Sequence, residues 1–169
     1  MKRKAPGRKS ATPHVPQPPA AGLEDAGSGV QIIEERFAPI VAAVGSIARG
    51  GEPPAVKLEG ALEIIFGAYG LSDPDFSEML LSGWMRARHD KHHRLALAWQ
   101  GEQLRLSLEE ILQAGVAAGA FRKELVTGAV AAVMLGAAEG CLLQSATQGG
   151  AVPPGELVRA LMSLALSGA

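Results

Sequence analysis

The chain has 169 residues, 47% of them hydrophobic, with a formal net charge of −1 and one cysteine. A body of about 140 to 150 residues buries roughly two thirds of its unfolded surface, enough for one core without a metal or disulfide staple. Cys141 has no second cysteine to pair with, and no charged leader with an apolar cleavage-type segment opens the chain, so a reducing, cytoplasmic setting is expected.

The near-zero charge conceals an asymmetry. Lys2, Arg3, Lys4, Arg8 and Lys9 all lie in the first ten residues, which hold no acid, whereas the remainder carries 11 basic against 17 acidic side chains. Such an arm suits a polyanion, nucleic acid or an anionic membrane, and the body repels one, so any DNA contact by these five residues alone would be non-specific.

Residues 1–29 contain Pro6, Pro13, Pro16, Pro18 and Pro19 among Gly, Ser, Ala and charge, with almost no large apolar anchor, and read as a disordered basic, proline-rich tail. From residue 30 to 169 the apolar period stays close to 3.6 and no alternating strand pattern occurs, so the fold class is all-α, a bundle of about six helices.

The first helix takes its stripe from Ile33, Phe37, Ile40, Val41, Val44 and Ile47, with Pro39 bending it or marking its first turn, and Gly50 and Gly51 stopping it. Pro53 and Pro54 open a second with Leu58, Leu62, Ile65, Phe66 and Tyr69 on one face, closed by Gly70. Asp73 and Pro74 form a cap and first-position pair for a third, which runs through Phe76, Met79, Leu80, Gly83, Trp84 and Ala87 to about His89.

A longer helix starts near Asp90. It carries Leu97, Leu104, Leu108, Ile111, Leu112 and Val116 on one side and Leu95, Trp99 and Leu106 on another, the pattern of a central helix packed between neighbours. Gly119 is a stop. Two small-residue-rich apolar helices, Glu124 to Gln148 and Pro154 to Ser167, close the chain.

Gly128, Ala132, Gly136 and Gly140 recur every four residues along the first of these, and Leu157, Leu161 and Leu164 lie on one face of the second. An edge without side-chain bulk lets helices approach closely, so these seven residues are the expected homodimer interface. The stretch Leu125 to Leu143 is apolar apart from Thr127 and Glu139, yet Glu139, abundant Ala and Gly, and the lack of flanking basic anchors argue against a membrane span.

Phe66, Tyr69, Trp84, Met85, Trp99 and Met134 supply most of the large polarizable surface, with Met162 beside them. Together with the polar Arg88 and Gln103, and with Glu139, they are the candidate lining of a pocket for a small apolar or aromatic effector. His89, His92 and His93 have metal-ligand spacing, but no further ligand cluster completes a tetrahedral site, and a solvated polar face accounts for them. No metal or other cofactor is expected. With no phosphate-cradling loop, nucleophile elbow or paired carboxylates set for a cleft, no catalytic residue is assigned and the chain does not read as an enzyme.

The stretch LEEILQAGVAAGAFRKELVTGAVAAVMLGAAEGCLLQ resembles the C-terminal body of tetracycline-repressor-like (TetR-family) transcriptional regulators, in which a helix ends in a Gly-x-x-x-Gly-x-Phe-like turn, here Gly115, Gly119 and Phe121. More loosely, the resemblance reaches back to about Ile32. It implies an effector-binding domain among the middle helices, a four-helix dimer interface from the last two, and DNA-binding heads whose separation responds to ligand. The family's three-helix head of about 45 to 50 residues, whose recognition helix enters the major groove, has no counterpart between Met1 and Val30. The opening MKRKAPGRKS looks like the basic leader that often precedes that head. Two alternatives accompany this reading: a headless interaction protein forming mixed dimers with a full-length regulator, and a small-molecule carrier.

Overall fold

The computed structural model describes residues 23–70, 73–148 and 152–166, and the basic arm with Lys2, Arg3, Lys4, Arg8 and Lys9 lies outside them. Six helices follow in order: α1 Leu23–Arg49, α2 Pro54–Tyr69, α3 Pro74–Ala87, α4 Lys91–Ala117, α5 Thr127–Gln148 and α6 Pro154–Ala165. Among the described residues the only strand-like feature is an isolated bridge between Phe121 and Leu166.

Two boundaries differ from the sequence reading. α1 begins at Leu23, so the helix takes in the last residues assigned to the tail, and it continues through Pro39, which sits inside the helix on an exposed face. A proline costs a helix one backbone bond and a clash with the preceding turn. Here the inward stripe of Ile33, Phe37, Val44 and Ala48, all buried, holds the helix together across it. The penultimate helix begins at Thr127, three residues later than expected, because Arg122 to Val126 form the connection that ties the end of α4 to the end of α6.

The capping signal at Asp73 acts where the sequence placed it, and Asp90, read only as the start of α4, proves to be a second cap. Asp73 accepts from the Phe76 backbone N–H at 3.0 Å and also pairs with Arg36 of α1 at 3.1 Å, so one carboxylate starts α3 and fastens it to α1. Asp90 does the same for α4, accepting from the backbone N–H groups of His92 and His93.

The middle of the bundle belongs to α2. It packs against each of the other five helices, whereas α4 packs against α1, α2, α3 and α5. Leu58, Ala61, Leu62, Ile65, Phe66 and Tyr69 of α2 are all buried. The second apolar side of α4, which had suggested a helix enclosed all round, faces outward: Leu95 is 55% exposed, Trp99 63% and Leu106 45%.

At the α4–α5 connection Gly119 takes the left-handed conformation at φ 73°, which a residue with a side chain adopts only under strain. The backbone N–H groups of Ala120 and Phe121 return to the Gly115 carbonyl at 2.9 and 3.2 Å, closing the helix end. The Phe121 ring then lies directly on Gly115, where a Cβ would fall 2.0 Å from the ring. The three residues that carry the family resemblance thus form one device: a helix stop, a left-handed turn, and an aromatic returned to the core at 1% exposure. Arg122 completes it by donating from its guanidinium to the Leu164 carbonyl and from its backbone to the Ala165 carbonyl.

Candidate functional site

α5 is apolar on two opposite faces. Its inner face is Ala131, Met134, Leu135, Ala138 and Leu142, all buried against neighbouring helices. On the other side Val126, just before the helix, Ala129, Val133, Gly136, Gly140 and Leu143 follow one another at spacings of three and four residues. Of these Val126 is 70% exposed, Val133 64% and Leu143 47%. Alternating steps of three and four make a single straight seam on a helix, the pattern by which two helices pair. Among the described residues no other element covers the exposed positions of this outer seam.

The row of small residues singled out in the sequence lies only partly on this exposed seam. A strict four-residue row drifts around a helix by about 40° at each step, so Gly128, Ala132, Gly136 and Gly140 do not share one face. Gly128 turns toward α4, where a Cβ would meet a Glu109 carboxylate oxygen at 3.0 Å, while at Gly136 and Gly140 a Cβ would meet nothing within 4 Å. Ala132 is exposed on the flank between them. Val126, Ala129, Val133 and Leu143, exposed residues of the seam that sequence reasoning did not single out, were legible as the three-and-four spacing.

α6 divides similarly. Val158, Leu161, Met162 and Ala165 are buried, with α2 as the neighbour, so Leu161, expected at the interface, is mainly a core residue. Leu157 is half-buried, and Leu164 stands 61% exposed with Leu166 at 39%. Between α5 and α6 runs a groove of about 200 Å³ lined by Leu125, Ala129, Val130, Val133, Met134, Leu161 and Leu164, carbon almost throughout. The outer seam of α5, this groove and Leu164 make one apolar surface. α5 is also long and apolar enough to cross a membrane, over Thr127–Thr147 with a mean hydropathy of 1.5, and 28% of that stretch is buried.

The residues expected to line an effector pocket do not share one cavity. Tyr69 is locked in the core, where its ring makes edge contacts with Phe37 and Phe76 at centroid distances of 6.4 and 5.8 Å. Phe66 lines a cavity of about 200 Å³ with Gly70, Cys141, Ser145, Val152, Pro153 and Pro154, whereas Met134 lines the α5–α6 groove. Trp84 is half-buried against the core and Gln103 half-buried on α4. Met85 is 72% exposed, and Trp99 and Arg88 also face outward. Polarizable surface identifies what can line a pocket, but inward and outward faces of a helix look alike when both are apolar.

Three titratable groups take character from burial. Glu139 of α5 is half-buried and desolvation raises its carboxyl above the usual range. Burial, then the nearby Glu139 charge, pushes the Tyr69 hydroxyl far up. Desolvation also raises the Cys141 thiol, which keeps the sulfur protonated and unreactive.

For Glu139 the fold disfavours the ionised form. The penalty is absent at pH values below the unfolded carboxyl range of about 4, and it is fully present once pH exceeds the raised folded value. Glu139→Gln therefore raises the melting temperature at pH 7, with the gain fading toward pH 4. Scanning calorimetry of both proteins at the two pH values checks this.

The histidine triplet resolves into separate roles. His92 is 81% exposed at its side chain and His89 is exposed, but His93 is buried, with its Nδ1 2.9 Å from Asp90 Oδ2. The solvated-face reading is thus corrected for His93. Among the described residues no three His, Cys, Asp or Glu side chains come together as metal ligands. A further cavity of about 390 Å³ lies between α1, α3 and α4, and His93 is part of its wall.

Comparisons with family models, with curated proteins and with solved structures find no match to this chain.

Proposed function

We propose that this chain is the ligand-responsive regulatory domain of a tetracycline-repressor-type transcriptional regulator, cytoplasmic, paired with a second copy through α5 and α6. One observation carries the reading: the three-and-four apolar seam of α5, set beside the groove and Leu164, is exposed and lies opposite the face that builds the core. Large contiguous apolar surface on a water-soluble body marks a contact site. A seam with glycines at its centre favours a helix as the occupant, because two backbones can approach closely there. A C2 pairing brings the same seam from both subunits and closes the surface on itself.

Bilayer insertion is the competing use of so apolar a helix. It would strip Ala131, Met134, Leu135, Ala138 and Leu142 from the core, and these residues are what α5 contributes to the fold. The Gly115, Gly119 and Phe121 turn supports the resemblance that motivates the regulatory reading. In this account the chain's own DNA contact is limited to Lys2, Arg3, Lys4, Arg8 and Lys9. That contact is electrostatic, sequence-independent and weakened by salt.

The effector is a small compound with an apolar or aromatic body. A thermal-shift panel tests this, since a ligand that binds only the folded state raises its melting temperature. Stabilisation by apolar or aromatic compounds is the expected result. Stabilisation by hydrophilic anions alone would contradict it.

A further inference from the structure

We propose that the outward face of α4 is a second self-association surface, on which the same face of another copy packs antiparallel across a two-fold axis between residues 100 and 101. The surface is distinct from the α5 seam and does not depend on it.

Helical spacing builds the face. Leu95, Trp99, Glu102 and Leu106 follow one another at steps of four, three and four, which keeps them in one row on a helix. The opposite side of α4 carries the buried Leu104, Leu108, Ile111 and Leu112, so the row points away from the core. Leu95, Trp99 and Leu106 are all exposed. Covering them removes apolar area from water, which favours assembly in proportion to the area covered.

Charge decides the occupant. The row begins beside Lys91 and His92 and ends beside Glu109 and Glu110, so one end is basic and the other acidic. Lys91, His92 and Glu110 are exposed, and Glu109 is half-buried. A parallel copy would set like charges together. An antiparallel copy sets each basic end on an acidic one, and complementary charge of this kind steers association and fixes its register.

With the dyad between residues 100 and 101, Leu95 lies opposite Leu106 of the other copy, and Trp99 lies opposite Glu102 of the other copy. Such a dyad also returns each flank of the helix to the same flank of its copy. At about 100° per residue, Lys91 and Glu109 share one flank, and His92 and Glu110 share the other. Both flanks are thus closed by groups of opposite sign. The two Trp99 side chains fall on a common flank, offset by about 4.5 Å along the helices, where offset aromatic packing is favourable. The two Glu102 carboxylates approach as well, but each is held by its own Arg105 at 2.7 and 2.8 Å, which neutralises it.

A row of four residues from each copy covers less than the roughly 1,200 Å² of a stable interface. The contact therefore forms only at concentrations well above those at which the α5 seam pairs, and it joins pairs already made.

Sedimentation equilibrium from about 20 µM to about 1 mM, the range suited to so small an interface, tests this with circular dichroism on the same samples. The mass of the unaltered chain should rise beyond two copies at the upper end. Trp99→Lys changes an exposed site, so it should keep full helicity and remain at two. Glu110→Lys should weaken the association several-fold, and His92→Glu added to it should restore the association by re-creating a pair of opposite sign across the dyad. Gly136→Lys separates this test from the α5 reading: it should start from one chain and still double at high concentration, unless Trp99→Lys is added. If α5 pairing itself fails, the unaltered chain starts from one copy and doubles in the same way. A mass independent of concentration, undiminished association in Trp99→Lys, or no rescue by the charge swap would each overturn the proposal. So would a blue shift of tryptophan fluorescence on phosphatidylserine vesicles in a chain that does not self-associate, which assigns the face to a lipid surface.

Discussion

Gly136→Lys should convert a paired protein into a monomer without harming the fold. A Cβ at Gly136 meets nothing within 4 Å inside the chain, and the position is exposed in the middle of α5. An exposed helical glycine is destabilising by about 1 kcal/mol relative to alanine, and lysine is among the better helix formers, so the isolated subunit gains stability. At a seam where two helices meet backbone to backbone, a long charged side chain prevents close approach and buries an unpaired ammonium group. We expect the dimer dissociation constant to rise at least about a hundredfold, equivalent to about 2.8 kcal/mol. Sedimentation equilibrium with circular dichroism on the same samples checks it: mass should halve at unchanged helicity. An unchanged mass would show that the seam is not the interface.

The largest effect on stability should come from the α4–α5 turn. Phe121 is 1% exposed and rests on Gly115, the only residue type that leaves room for its ring there. Phe121→Ala should destabilise the protein by about 3 to 5 kcal/mol, the usual range for emptying a buried aromatic site. Gly115→Ala attacks the same contact from the other side. Its added methyl falls 2.0 Å from the ring and must displace it, and such overpacking typically costs about 1 to 3 kcal/mol. That is more than the helix-propensity gain of about 1 kcal/mol offsets. Urea denaturation measures both, and Phe121→Leu added to Gly115→Ala should recover part of the loss by shortening the intruding ring. A fully stable Gly115→Ala would mean that the contact is not needed for the turn.

Much of the bundle was legible because its signals are local. Asp73 caps α3, α4 starts beside Asp90 as expected, Gly119 stops α4 through its positive φ, and the 3.6-residue period located the helices. Of the two roles open to Pro39, a place inside the helix or in its first turn, the structure has the first, because tertiary packing outweighs the lost backbone bond. The outward apolar face was half legible. That α5 and α6 carry the exposed apolar surface followed from composition, but which residues face out depended on angle. The four-residue row of Gly128, Ala132, Gly136 and Gly140 wraps around the helix, whereas the three-and-four seam beginning at Val126 does not. The effector candidates were the least legible, because Trp99 and Met85 have the composition of pocket liners and the position of surface residues. His93 was missed for a related reason: among Asp90, Lys91 and Arg94 it reads as solvated, and only packing against α1 at Gly29 shows it to be buried.

The pairing of α5 and α6 between two copies is the claim on which the regulatory reading rests, and molar mass by light scattering across a dilution series tests it most directly. The account predicts twice the chain mass of 17.5 kDa, persisting to low micromolar concentration. A stable, non-aggregating monomer throughout the series would contradict it.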